Sequence, residues 1–131
     1  MPSPVLSSPR ELPAIPGFSQ VVAIPAGSLV WTSGQVALGA DGGLAAEDPE
    51  GQARQVFENV GHALQAGGAG WRDVVKLTIY VVDRGHLDTV RRVRDEFVDT
   101  TRPPTSTLVQ VAGLVRPELL LEVEAVAWAA G

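Results

Sequence analysis

The chain has 131 residues, of which 45% are hydrophobic and 19% are charged, and a chain of this length is expected to form one domain, residues 1–131. Ten Lys and Arg against fifteen Asp and Glu give a formal net charge of −5, which disfavours nucleic acid as a partner because phosphates are repelled. No apolar run approaches the ~20 residues that span a bilayer, so we expect no membrane partner either.

The N-terminal stretch, residues 1–17, has neither the basic start nor the continuous apolar core of a secretory signal. Together with the absence of cysteine, which excludes a disulfide framework, this predicts a cytoplasmic protein. Two short runs follow that are rich in β-branched and aromatic residues, QVVAIP at 20–25 and SLVWTSGQV at 28–36. Because Ala26-Gly27 between them is a turn signal, the pattern predicts a β-hairpin.

A first amphipathic helix is predicted after a Gly- and Asp-rich loop. Asp48-Pro49 offers an N-cap residue followed by proline at the first helical position. Gly67-Gly68 ends the pattern where a left-handed C-cap is easiest. The apolar positions between them recur at helical spacing, at Ala53, Val56, Phe57, Val60 and Leu64.

The next run, DVVKLTIYVVD at 73–83, predicts a strand with its apolar residues on one face: Val75, Leu77, Ile79 and Val81. Residues 86–99 return to helical spacing and predict a second amphipathic helix. A proline-containing turn in RPPTSTL, residues 102–108, precedes two further strand-like runs, STLVQVA at 106–112 and LLLEVEAVAWA at 119–129. The order β-β-α-β-α-β-β predicts an α+β fold, with a mixed sheet and two helices on one of its faces.

The last strand has an alternation in which neither face is wholly polar. Leu121, Val123, Ala125 and Ala127 alternate with Glu122, Glu124, Val126 and Trp128. Two helices can cover only one face of the sheet, so the second face needs another partner. Burial against copies of the same chain is the simplest solution, and it predicts a closed homo-oligomer.

Five segments in order resemble the Rid family of reactive-intermediate deaminases, also called YjgF or L-PSP proteins. These segments are PGFSQ at 16–20, TSGQV at 32–36, QARQVFENVGHAL at 52–64, DVVKLTIYVVD at 73–83 and LEVEAVA at 121–127. The resemblance implies a chorismate-mutase-like (ferredoxin-like) fold and a homotrimer with a central barrel and ligand clefts between subunits. It also implies hydrolysis of imines and enamines to a carbonyl product and ammonia, with no metal and no cofactor.

The resemblance carries over to individual residues. The family's catalytic glutamate, which orients water or a proton transfer, falls on Glu122. The backbone of Ser33, Gly34 and Gln35 matches the segment that lines the cleft. Phe18 stands where the family has tyrosine, so the ring is kept and a hydroxyl that could bind substrate is lost.

The family's carboxylate-binding arginine aligns with Ser106 in this chain. The resemblance therefore predicts that the turn closes the cleft with the hydroxyls of Thr105, Ser106 and Thr107. A hydroxyl does not replace a bidentate guanidinium contact. We accordingly expect weak or absent turnover of 2-imino acids, and a cleft for a related small ligand or a substrate without the usual carboxylate.

Arg91 offers a second possible source of positive charge. It stands where the family usually has asparagine, flanks the predicted buried stripe of its helix, and has a stem long enough to reach the cleft rim. The alternative is that Arg91, Arg92 and Arg94 form a solvated basic patch paired with Asp88 or Asp95.

The sequence leaves alternative roles open for several of these residues. Glu122 could be only an interfacial polar residue, and Glu124, two positions on, could share or take over its role. Lys76, His62 and His86 show no spacing typical of a catalytic or metal site, so we interpret them as structural or exposed. Three function classes result: an imine or enamine hydrolase, a small-molecule-binding module without turnover, and an endoribonuclease, which the net acidic charge disfavours.

Overall fold

The structure is a computed structural model that describes residues 5–16, 18–24 and 27–130. Its elements are β1 (Val5–Ser7), β2 (Val21–Ala23), β3 (Ser28–Thr32), α1 (Pro49–Ala66), β4 (Val74–Val81), α2 (Leu87–Arg94), β5 (Thr105–Gln110) and β6 (Leu121–Ala129). The six strands form one sheet in the order β1-β2-β3-β6-β4-β5. The predicted α+β class is confirmed. The sequence pattern does not predict β1, because three residues are too few to show an alternation.

The hairpin strands and the mixed character of the sheet are also confirmed. β2 and β3 pair antiparallel, although Pro25 and Ala26 of the predicted hairpin lie outside the described residues. β6 lies antiparallel between β3 and β4, whereas β5 runs parallel to β4 at the edge of the sheet. The second hairpin strand ends at Thr32 and not at residue 36, because the chain leaves β3 there.

Helix α1 begins and ends where its capping residues predict. The Asp48 carboxylate accepts a hydrogen bond from the Gly51 backbone N–H at 2.9 Å, and Pro49 occupies the first helical turn. At the other end Gly67 donates its N–H to Leu64, and Gly68 adopts a left-handed φ of 84°. All five predicted apolar residues of α1 are buried against the sheet.

Helix α2 is shorter than the predicted span of 86–99. It ends at Arg94, after which the backbone tightens into successive turns that close on the Arg94 carbonyl. Phe97 nevertheless keeps an inward position, where its ring stacks on that of Phe57 with centroids 5.7 Å apart. The apolar spacing therefore predicts the packing of this segment correctly, but not its backbone hydrogen bonding.

The predicted face of β4 needs one correction, at Val75. Leu77, Ile79 and Val81 are buried under the helices, but the Val75 side chain is 45% exposed. A register shift between Val74 and Lys76 against β6 is the cause, because a bulge inserts one residue and reverses the alternation before it. Val74 takes the buried position instead.

Both helices pack on one face of the sheet, and the described residues leave the opposite face uncovered. This open face carries Glu122, Glu124 and Tyr80, together with the rings of Trp31 and Trp128, which are 42% and 49% exposed. Large exposed aromatic rings on a sheet face are typical of an interaction surface. In the described ranges, neither helix has both the length and the apolar character needed to cross a bilayer.

Candidate functional site

Glu122 lies in the middle of the sheet, where the chain crosses β6 after leaving β3. The Gln35 N–H donates to the Val123 carbonyl at 2.8 Å, and the Val123 N–H donates to the Gln35 carbonyl at 3.0 Å. This isolated bridge brings Gly34 against the Glu122 side chain. A Cβ atom at residue 34 would overlap the Glu122 carboxylate, so glycine is what allows this close approach.

Side-chain hydrogen bonds hold the 33–35 segment in place. The Ser33 hydroxyl donates to the Ser19 carbonyl at 2.7 Å, and the buried Gln35 amide donates to Gln20 Oε1 at 2.6 Å. Gln35 therefore has a structural role, since its backbone and its side-chain amide both form hydrogen bonds within the chain. The sequence does not identify Gln20 as a site residue, because the two glutamines lie fifteen positions apart and no local pattern links them.

Helix α1 fixes the chain beyond this segment. The buried Asn59 side chain donates to the backbone carbonyls of Val36, at 3.1 Å, and Leu38, at 2.8 Å. A polar residue buried within a helix is stable when its amide is satisfied in this way. Asn59 therefore anchors the chain that follows Gly34 to helix α1.

Two carboxylates and a phenol share the open face at this point. The Tyr80 hydroxyl donates to Glu124 Oε1 at 2.7 Å, and Tyr80 is the register partner of Glu122 across β4 and β6. Within the described part of the chain, the Glu122 carboxylate accepts no side-chain hydrogen bond. Burial raises the pKa of Glu122, and the negative charge of Glu124 raises it further. Glu122 is thus suited to exchange a proton, while Glu124 is held by Tyr80.

An open cavity of about 260 Å³ gives access to these carboxylates. Its lining residues are Tyr80, Val111, Gly113, Leu114, Glu122 and Glu124. Glu122 and Glu124 both line this cavity. This is the arrangement required if Glu124 shares or takes over the role of Glu122. The described residues contain no cluster of three His, Asp or Glu side chains positioned to hold a metal ion.

The raised pKa of Glu122 predicts a pH-dependent difference in stability. A carboxyl whose folded-state pKa is raised stabilises the fold while it is protonated, and this contribution is lost as the pH rises through the folded pKa. Relative to wild type, Glu122→Gln should therefore gain stability as the pH rises from the ordinary glutamate pKa of 4.5 through the raised pKa of the folded protein. Urea denaturation of both proteins across this range measures the difference, and a constant difference would contradict the prediction.

The close contact at Gly34 predicts that Gly34→Ala selectively impairs any reaction in which Glu122 takes part. In Gly34→Ala the new methyl group displaces the Glu122 carboxylate, and a misplacement of about 1 Å lowers catalytic rates by up to ~100-fold. Stability should change by about 1 kcal/mol or less, because the end of a side chain can move aside. Steady-state kinetics and thermal unfolding measure the two effects. Gly113→Ala is the matched control, since Gly113 lines the same cavity and its added Cβ would meet no atom within 4 Å.

The strand predicted at 106–112 is confirmed as β5, but it begins one residue earlier, at Thr105, so the preceding turn is shorter than the predicted 102–108. Thr105, Ser106 and Thr107 pair with residues 76–78 of β4 at the edge of the sheet. Ser106 lies opposite the buried Leu77 and therefore faces the helices. Thr105 and Thr107 face the open side, and the Thr105 hydroxyl donates to the Val75 carbonyl at 3.0 Å.

The predicted site residues therefore fall into two groups within one chain. Ser33, Gly34 and Gln35 meet Glu122, and the exposed Phe18 directly precedes Ser19, which anchors that segment. Ser106 lies on the other face of the sheet, because its partner Leu77 and the Glu122 partner Tyr80 point to opposite sides.

The three arginines of α2 have different surroundings. Arg91 is exposed and does not line the cavity beside Ser106, whereas Arg94 does. Arg92 pairs with Glu50 at 2.8 Å, and Arg94 pairs with Asp95 at 3.0 Å. The structure thus brings Arg94, and not Arg91, to the residue that occupies the position of the family's arginine.

Comparisons of sequence and of structure relate this chain to the same group of proteins. The family model described as Endoribonuclease L-PSP matches residues 9–129. TdcF of Escherichia coli K12 is 35% identical over 125 residues, covering 94% of this chain and 95% of TdcF. The 2-iminobutanoate/2-iminopropanoate deaminase of Salmonella typhimurium is 36% identical over 109 residues, covering 82% of this chain and 84% of that enzyme.

The fold of this chain also matches that of a solved structure of one of these relatives. The crystal structure of E. coli TdcF with bound serine superposes with a TM-score of 0.83 at 32% identity, covering 96% of this chain and 99% of that one. Sequence and structure thus match over nearly the full length of these proteins. The chain belongs to the Rid family, the group also called YjgF or L-PSP proteins.

Proposed function

We propose that this protein hydrolyses reactive imines or enamines to a carbonyl product and ammonia, with Glu122 positioning the attacking water. The observation that carries the proposal is the half-buried Glu122 carboxyl, which has a raised pKa, accepts no side-chain hydrogen bond in the described residues, and lies against the Gly34 backbone. The deaminase name of the Salmonella relative supports this reaction class.

The chemistry follows from the properties of this carboxylate. Protonation of an enamine at carbon, or of an imine at nitrogen, gives an iminium ion. Glu122 then accepts a proton from water as the water oxygen bonds to the iminium carbon, which gives a neutral tetrahedral aminoalcohol. Return of that proton to nitrogen allows the carbon–nitrogen bond to break, and loss of the hydroxyl proton leaves the carbonyl product. One imine and one water yield one carbonyl compound and one ammonia, and no electrons are transferred.

The two groups of site residues support a cleft built from two copies of the chain. Glu122 and Ser106 face opposite sides of one sheet, so both can contact one ligand only if different subunits supply them. The uncovered rings of Trp31 and Trp128 provide an apolar surface for such an assembly.

We therefore expect a homotrimer in solution. Light scattering at micromolar concentration should give three times the chain mass of 13.8 kDa, since burial of the open face in a closed ring satisfies all three sheets equally. A stable monomer at that concentration would contradict this expectation and the two-subunit cleft together.

The proposed activity is tested by following ammonia release from freshly generated substrates. One substrate is 2-iminobutanoate, and a second is an imine of similar size without a carboxylate. Acceleration of either reaction above the rate in buffer supports the proposal. Saturable ligand binding without acceleration of either reaction would contradict it and favour a binding protein.

A further inference from the structure

Two side-chain amides lie on the buried face of helix α1. Gln52 and Asn59 are both fully buried, at 0% exposure. Seven residues of an α-helix make about two turns and a rise of about 10 Å, so the two amides lie on the same face. Their neighbours in this stripe are apolar: Ala53, Val56, Phe57 and Val60. A buried amide destabilises a fold unless it is hydrogen-bonded, so the partners of these two side chains show what they hold.

Gln52 holds the chain just before Glu122. Its Nε2 donates to the Glu118 carbonyl at 2.8 Å, and its Oε1 accepts from the Leu120 N–H at 2.8 Å. The Leu120 carbonyl accepts from the Val82 N–H at 3.1 Å, directly beyond the end of β4. Leu120, two residues before Glu122, is therefore fixed by the helix through its N–H and by Val82 through its carbonyl.

Asn59 holds the chain just after Gly34 from the same face of α1. Its Nδ2 donates to the carbonyls of Val36 and Leu38. Its Oδ1 accepts from Gln55 Nε2 at 2.9 Å, so both ends of the amide are engaged. The two segments that meet at the candidate site are thus attached to one helix, two turns apart.

We propose that Gln52 and Asn59 are positioning residues for Glu122. One of the segments that they hold carries Gly34, and the other leads into Glu122. Helix α1 thereby sets the separation between the Gly34 backbone and the Glu122 carboxyl, which is so small that a Cβ atom at residue 34 would overlap the carboxylate. The proposal rests on the proposed function, since it concerns the orientation of the proposed base.

The surroundings of the two amides suit them to this role. A catalytic group must be held to within about 0.5 Å by residues whose own side chains are locked by packing and hydrogen bonds. Gln52 and Asn59 are buried on a helix, and each amide is engaged at both ends. Their hydrogen bonds go to backbone and to Gln55 and not to Glu122, so their substitution changes where the carboxylate lies and not the chemistry that it can perform.

The titration of Glu122, followed by carboxyl-carbon NMR without substrate, tests the proposal. Gln52→Met keeps the size of the side chain and removes both of its hydrogen bonds. The Glu122 carboxyl is then free to leave its half-buried position, and its pKa should fall towards the ordinary glutamate value. Asn59→Leu should have the same effect through the Gly34 segment. In both variants kcat for imine hydrolysis should fall by about tenfold or more with KM nearly unchanged, since a misplacement of about 1 Å lowers rates by up to ~100-fold.

Val56→Ala is the matched control. Val56 is fully buried on the same face of α1, between the two amides, and its truncation destabilises the core without removing a hydrogen bond. This variant should keep the wild-type titration of Glu122 and the wild-type kcat at a temperature where all variants are folded. Equal changes in the control and in Gln52→Met, or an unchanged Glu122 titration in Gln52→Met, would overturn the proposal.

If Gln52→Met does not fold, Gln52→Asn takes its place. Its amide is one methylene shorter and cannot hold both Glu118 and Leu120, so the pKa of Glu122 should fall in this variant as well. An unchanged titration there would equally contradict the positioning role. Failure of the proposed function is distinct, because the titration needs no substrate: a wild-type protein that hydrolyses no imine defeats the reaction, while the titrations still decide whether the two amides position Glu122.

Discussion

Replacement of Glu122 by glutamine is expected to lower kcat for imine hydrolysis by ~100-fold or more, the range typical for loss of a general base. The amide has nearly the same shape, so the contact with Gly34 is preserved, but it cannot accept the proton from water. Ammonia release at saturating substrate measures kcat, and circular dichroism and light scattering verify that fold and assembly are intact.

The pH profile separates a catalytic role from a structural one. Wild-type activity should fall as the pH drops through the raised pKa of Glu122, because only the ionised carboxylate acts as a base. The glutamine variant should lack this dependence. Glu124→Gln is the control: its amide oxygen can still accept the hydrogen bond of the Tyr80 hydroxyl, and it should reduce kcat less than Glu122→Gln. An unchanged rate in Glu122→Gln would move the role to Glu124 or to backbone groups.

The largest loss of stability is expected for Phe57→Ala, with about 3–5 kcal/mol removed from the free energy of unfolding. The Phe57 ring is fully buried and lies within 5.7 Å of both Trp71 and Phe97, measured between ring centroids. Its removal leaves a cavity between α1 and the segment after α2. Urea denaturation at a fixed protein concentration measures the change, since assembly makes apparent stability depend on concentration.

Phe18→Ala provides a control that removes the same ring from an exposed position. Phe18 is 49% exposed, and such a substitution should change stability by about 0.5 kcal/mol or less. Equal losses in the two variants would show that the Phe57 cluster does not anchor α1 and the α2 segment as the structure indicates.

The parts of the fold that the sequence predicts are those with strong local signals. Helix α1 carries a capping aspartate, a proline in its first turn, an apolar stripe and a terminal glycine pair, and each signal indicates the same boundaries. The run at 106–112 predicts β5 but misses its first residue, because the side chains of Thr105, Ser106 and Thr107 are exposed and show no buried alternation that would mark the start of the strand. Val75 is misplaced because a bulge is a property of two paired strands.

Some residues of the candidate site can be predicted from the sequence and others cannot. Glu122 and the 33–35 segment are predicted because the resemblance aligns whole motifs. The Gln20–Gln35 contact depends on tertiary packing, which no spacing within the sequence reveals. Arg91 and Arg94 are three positions apart on one helix and chemically identical, so only the packing of α2 against β5 distinguishes the one that lines the cavity.

The contact between Gly34 and Glu122 also constrains how this protein can diverge. A side chain at residue 34 is incompatible with the present position of the glutamate, but that conflict disappears once residue 122 is small. The effects of substitutions at the two positions are therefore non-additive, with a coupling energy that a double-mutant cycle would reveal. Loss of the glutamate therefore removes the requirement for glycine at residue 34, whereas a side chain introduced first at residue 34 displaces the glutamate.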